Sequence, residues 1–297
     1  MRSDLDDIRA ALEHQLALFG DLVLVDESAA SAEALASVTE AATPVSGTEP
    51  LADTSEEAPE VMADEKIMAD EPVAEPAPQP QPIPESEPEP STLPELYAQI
   101  EALIPDDSPL RGMKTLEEVN AWVASTELIE LDRTRKNPVF GVGNPQADLM
   151  VIGEAPGADE DEQGEPFVGR AGQLLTKILD AIGFARKDVY IANILKSRPP
   201  DNRNPKPEEV AAHLPILHKQ ISLIQPKLIL CVGRTSGTSL LGRDSSLKDM
   251  RGTFHDYHGI ELMVTYHPAA LLRNPNWKRP TWEDVQLLRS RYDELTA

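Results

Sequence analysis

The sequence predicts an α/β protein: a three-layer α/β/α sandwich with a central four-stranded, mainly parallel sheet, preceded by a disordered, acidic, Pro-rich tail. Three observations predict it. Four continuous apolar runs occur after residue 147, helical segments separate them, and the connections are short and marked by Gly or Pro. Apolar strands that do not alternate with polar residues belong to sheets covered on both faces, because crossover helices pack on each side.

In chain order, segments 94–104 and 115–125 read as two short leading helices. DLMVIG (148–153) is the first strand, and RAGQLLTKILDAIG (170–183) is a helix closed by glycine. DVYIANIL (188–195) is the second strand, and PEEVAAHLPILHKQISLIQ (207–225) a long helix with proline at its first position. KLILCVG (227–233) is the third strand, followed by a short helix at 234–241. ELMVTY (261–266) is the fourth strand, and 280–294 the closing helix.

The net charge of −24 belongs to the tail. Residues 1–100 carry 23 acidic side chains against 3 basic ones, which leaves 28 against 24 for the remainder. An anionic partner is therefore not excluded, since binding depends on local basic patches. Residues 1–27 hold an amphipathic helix over 3–19, with Leu5, Ile8, Leu12, Leu16 and Phe19 at helical spacing. A helix this short frays alone, and its alternative is a docking helix for a protein partner. Residues 28–93 are an Ala/Glu/Pro linker with 11 of the chain's 27 prolines. With almost no aromatics it cannot offset ordering entropy, so a disordered passive tether is expected. The folded domain is then 94–297.

Cys231 is the single cysteine, which excludes a disulfide scaffold, a CxxC redox pair and any all-cysteine metal site. No apolar run approaches the roughly 18 residues that span a bilayer, and the acidic start lacks the basic and apolar regions of a signal peptide. The expectation is a soluble, cytoplasmic monomer without a membrane partner.

In parallel sheets ligands bind beyond the carboxyl ends of the strands. The first strand runs into GEAPG (153–157), whose small residues permit close backbone approach; the second ends in Asn193, and the fourth in His267-Pro268. An Asn amide pairs bidentately with a pyrimidine edge, a His donor stabilises charge growing on a carbonyl oxygen, and Phe167 offers a ring for a planar base. Taken singly, each has a plain structural role as turn, cap or core residue. Their meeting at one sheet edge carries the weight.

GEAPGADEDEQGEPFVGRAGQLL, YIANILKSRPPDNRNPKPEE and TYHPAALLRNP together resemble the family 4 uracil-DNA glycosylases of the uracil-DNA glycosylase superfamily, over roughly residues 122–294. The resemblance implies hydrolysis of the N-glycosidic bond of deoxyuridine in DNA, as base excision repair requires, releasing uracil and leaving an abasic site. It implies that Glu154 and Ala155 contact uracil, Phe167 stacks on it, Asn193 reads its edge and His267 supports its departure. Glu160 and Asp161 match acidic residues after the turn, and Leu271 matches the wedge pushed into the duplex. Where family 1 enzymes carry an Asp that helps position water, this chain has Ala155. Water then falls to Glu154, Glu160 or Asp161, or to an almost fully dissociative path.

The family ordinarily binds a [4Fe–4S] cluster through four cysteines. The corresponding positions here are Thr126, Ile129, Ser197 and His213. A cluster needs thiolate-like ligands, so no cluster and no other cofactor is expected. Ile129 and Leu131 packing inward are expected to replace its structural role. Lys196, Arg198, Arg203 and Lys206 follow the second strand, and Arg273, Lys278 and Arg279 follow HPAALL, as two candidate phosphate clamps for uracil-containing DNA. Two further readings stay open: a non-catalytic DNA- or protein-binding adaptor on the same fold, and a glycosylase with broader deaminated-base scope.

Overall fold

The computed structural model describes residues 93–297. The expected amino-terminal helix region (1–27) and the linker up to residue 92 lie outside them.

Helices α1 (Leu93–Ala102) and α2 (Leu116–Ser125) lead in. The second opens on a capping box, with Thr115 accepting from the Glu118 N–H and the Glu118 carboxylate accepting in return from the Thr115 N–H. The sheet holds six strands: β1 (Val142–Gly143), β2 (Leu149–Gly153), β3 (Tyr190–Asn193), β4 (Leu228–Val232), β5 (Phe254–Tyr257) and β6 (Ile260–Thr265). Their order across the sheet is β1-β3-β2-β4-β6-β5. The inner four are mutually parallel and are the four expected strands; β1 and β5 pair antiparallel at the edges. The four-stranded expectation is thus corrected to six. The two edge strands carry no continuous apolar run, because an edge strand is covered less completely and β1 is only two residues long.

The remaining helices are α3 (Ala158–Gln163), α4 (Arg170–Ala181), α5 (Pro207–Ile224), α6 (Arg234–Leu241), α7 (Leu247–Met250), α8 (Pro268–Arg273) and α9 (Lys278–Thr296). Successive strand residues point to opposite faces, and two cores follow. Met150, Ile152, Ile229, Cys231, Leu262 and Val264 pack with Ile100 of α1, Leu217 and Ile221 of α5, and Leu240 of α6. Leu149, Val151, Leu228, Leu230 and Met263 pack with Leu175 and Leu179 of α4 and Val285 and Leu288 of α9. Each such aliphatic side chain contributes about 1.5–3 kcal/mol by leaving water. Cys231 is one of these core residues, and burial pushes its thiol pKa up.

The chain steps from β2 outward to β3, then returns to the other side of β2 for β4. That reversal opens a crevice at the carboxyl ends of β2 and β4, where a parallel sheet of this kind accepts ligands.

Candidate active site

A cleft of about 530 Å³ lies at these carboxyl ends. Each parallel strand sends residues into its lining: Glu154 to Gly157 after β2, Asn193 at the end of β3, Gly233 to Thr235 after β4, and His267 after β6.

Gly153 and Asn193 are register partners in the β2–β3 pair. A Cβ on residue 153 would stand 2.3 Å from Asn193 Oδ1 and 2.6 Å from the Phe167 ring, so glycine at this point lets ring and amide converge. Phe167 has φ 54°, the left-handed region that a bulky side chain adopts only under constraint. The constraint is visible. Glu160 Oε1 accepts the N–H groups of Val168 and Gly169 at 3.0 Å each, while Oε2 accepts the Gly157 N–H at 3.1 Å. A Cβ on Gly172 would lie 1.7 Å from the Phe167 carbonyl oxygen, so the start of α4 closes against this turn.

Asn193 is 2% exposed, and its Oδ1 has no hydrogen-bond partner. Leaving a buried acceptor unsatisfied costs about 1–3 kcal/mol, which a ligand N–H in the cleft would recover. His267 caps α8: its Nδ1 accepts the Ala269 N–H at 3.1 Å. The ring proton therefore sits on Nε2. Burial, with Arg273 adding, pushes the His267 pKa down to about 4, so at neutral pH it is an uncharged donor. Its ring centroid lies 5.6 Å from that of Phe167.

Of the anticipated site residues, Glu154, Ala155, Glu160, Phe167, Asn193, His267, Arg203 and Arg273 all line the cleft. Three others lie outside that lining. Asp161 is buried outside the cleft lining, its Oδ1 accepting the Lys136 N–H at 2.9 Å. Lys196 presents no charge to the surface: it is fully buried, and its Nζ donates to Asn193 O at 2.7 Å and Gln220 Oε1 at 2.6 Å. Leu271 is 1% exposed in the core under α8, whereas Leu272 is 43% exposed. Glu160 lines the cleft with both carboxylate oxygens engaged as a brace. Arg203 carries a bidentate pair to Glu209, Arg198 donates to Asn202, and Arg279 pairs with Glu283; Lys206 and Lys278 lie outside the cleft lining. Arg234 and Thr235 line the cleft without having been anticipated. Their signal was positional, because they follow the carboxyl end of the third parallel strand.

Residues 140–286 match the model of the Uracil DNA glycosylase superfamily. The type-4 uracil-DNA glycosylase of Pyrobaculum aerophilum is 44% identical over 182 residues, covering 58% of this chain and 92% of that protein. That of Archaeoglobus fulgidus is 40% identical over 182 residues, covering 59% and 92%. The chain belongs to the uracil-DNA glycosylase superfamily, in its type-4 branch. A more distant similarity, 29% identity over 150 residues, joins it to the type-5 uracil-DNA glycosylase of Thermus thermophilus.

In this type-4 chain the four positions given to cluster cysteines do not fit a [4Fe–4S] cluster. Ile129 packs against the core, and the Thr126 backbone carbonyl accepts from Arg135. Ser197 and His213 are buried in hydrogen bonds to Asp132. Among the described residues no group of three His, Cys, Asp or Glu side chains is placed to hold a metal ion. No helix among them is long and apolar enough to cross a membrane.

Proposed function

We propose that this chain is a monofunctional uracil-DNA glycosylase that hydrolyses the N-glycosidic bond of deoxyuridine in DNA. The observation that carries the reading is the unpartnered Asn193 Oδ1, sunk in a cleft beside an aromatic ring and a neutral imidazole. Uracil offers an N–H and a carbonyl on one edge, the complement of an Asn amide. Extruding the base costs a few kcal/mol, least when it is mispaired. Stacking on Phe167 returns about 1–3 kcal/mol.

The C1′–N1 bond then breaks with its electron pair moving onto the uracil ring. Negative charge collects on a ring carbonyl oxygen, where the His267 Nε2–H supplies a donor that needs no prior proton uptake. Water adds to the cationic sugar carbon, and the proton it gives up neutralises the departing uracil anion. Among the three candidate acids, Glu154 best suits orienting that water: it lines the cleft, while Glu160 is committed to three backbone N–H groups and Asp161 lies elsewhere. With Leu271 in the core, exposed Leu272 takes the wedge position on α8. Arg203 and Arg273 stand at the cleft to receive phosphates.

The test is uracil release from a U:G duplex by wild type, Asn193→Ala and His267→Ala. Wild-type release with both variants reduced at least about 10²-fold supports the enzyme. Background release by the wild type leaves the DNA-binding adaptor in its place.

A further inference from the structure

We infer that a buried hydrogen-bonded hub on Asp132 does in this chain the mechanical work that four cysteines and a cluster would do, fixing the DNA-facing arm of the cleft without metal. The part about DNA rests on the glycosylase reading. Asp132 sits between the expected cluster positions and reaches three of them. Its Oδ1 accepts from Ser197 Oγ, from His213 Nε2 at 3.0 Å and from Arg135 Nη1 at 3.3 Å. Its Oδ2 accepts the N–H groups of Leu128 at 2.8 Å and Ile129 at 3.2 Å. Arg135 donates its other amino group to the carbonyls of Val123 at 2.6 Å and Thr126 at 2.9 Å. His213 Nδ1 accepts the Lys196 N–H at 3.0 Å, which puts its proton on Nε2 facing the carboxylate.

The hub is charge-balanced and each member is satisfied, the condition under which a buried polar network rigidifies rather than destabilises. Burial opposes ionisation of Asp132, but the hydrogen bonds from His213 and Ser197 outweigh it and hold the carboxyl well below its usual range. The network joins three stretches distant in sequence: 123–135, the segment leaving β3, and the middle of α5. Directly beyond Ser197 lie Pro199, Asn202, Arg203 and Asn204, all lining the cleft. Arg203 is in turn tied to Glu209 on the first turn of α5, the helix that carries His213. Stapling Ser197 to Asp132 thus sets where this arm begins. Ile129 and Leu131 pack inward as well, but apolar packing sets no such directional register.

The experiment compares the full wild-type chain with Asp132→Ala, His213→Ala and Ser197→Ala, the last leaving the Asp132–Arg135 pair in place. Amide hydrogen exchange over 126–135 and 197–206 is expected to accelerate roughly tenfold or more. KM for a U:G duplex is expected to rise roughly tenfold with kcat held within about threefold, because Asp132 bonds to none of Phe167, Asn193 and His267 and Lys196 still holds the Asn193 carbonyl. Should Asp132→Ala fail to fold, Ser197→Ala carries both readouts. Unchanged exchange in these segments, or a fall in kcat at constant KM as from a smaller folded fraction, overturns the inference. So does stoichiometric iron and acid-labile sulfide retained by the wild type after anaerobic reconstitution. If wild type released no uracil, the glycosylase reading would fail while the exchange measurement still decided the staple.

Discussion

Gly153 and Asn193 face each other across the β2–β3 pairing, and the space left by the missing side chain of the first is the space the amide of the second occupies. Gly153 does not adopt a left-handed conformation, so its requirement is one of volume. Gly153→Ala is expected to fold while displacing both Asn193 Oδ1 and the Phe167 ring. A shift near 1 Å at reacting groups costs about 10²-fold. Uracil release should fall by about that factor, and a thermal melt should show the loss is not unfolding.

Adjacent leucines on α8 have opposite fates. Leu271→Ala empties a core position and should cost about 2–5 kcal/mol of stability. Leu272→Ala removes an exposed side chain and should change stability by no more than about 0.5 kcal/mol. The second variant should nevertheless lose release from duplex DNA more than from single strands, where no gap needs holding open. Thermal denaturation and a two-substrate release assay distinguish the pair.

His267 and His218 set an acid limit. Burial lowers both to about 4, aided by Arg273 for the first and His258 for the second. Between the ordinary value of 6.5 and 4, the unfolded chain takes up a proton that the folded chain refuses. The stability each contributes is complete above pH 6.5 and is lost as pH falls toward 4, on the order of 3 kcal/mol at most per residue. Melting temperature should therefore drop over that window, and His218→Leu, outside the cleft, should flatten the drop. Uracil release should show no histidine titration between pH 6 and 8, since the donor is already neutral.

How readable all this was in the sequence varies by physical cause. Strands buried on both faces announce themselves as apolar runs, so β2, β3, β4 and β6 were found within a few residues, whereas β5 (FHDY) carries no pattern. The placement of Asn193 and His267 at one edge of the sheet is readable because the strand-end rule is geometric. The Leu271/Leu272 choice was not: one residue turns a helix by about 100°, and a six-residue helix gives no periodicity to fix its phase. Asp132 had no signal at all, because an acid in a short loop looks the same whether solvated or at the centre of five hydrogen bonds. Lys196 shares that limit, its charge being visible in sequence and its burial not.

Salt dependence separates those two kinds of cation. A side chain that touches phosphate releases a counterion on binding, so removing it lowers the slope of log affinity against log salt by about one. Arg273 is exposed at the cleft, and Arg273→Gln should weaken binding to uracil-containing DNA and reduce that slope accordingly. Lys196 instead holds the Asn193 carbonyl and the Gln220 amide from below, and Gln220 in turn donates to the Phe140 carbonyl at 3.0 Å. Lys196→Met should leave the slope unchanged. It should lower stability by about 1–3 kcal/mol through the acceptors left unsatisfied, and reduce release by loosening the strand end that carries the Asn193 amide. A reduced slope in Lys196→Met would mean that its ammonium reaches DNA, which its burial beneath Asn193 forbids.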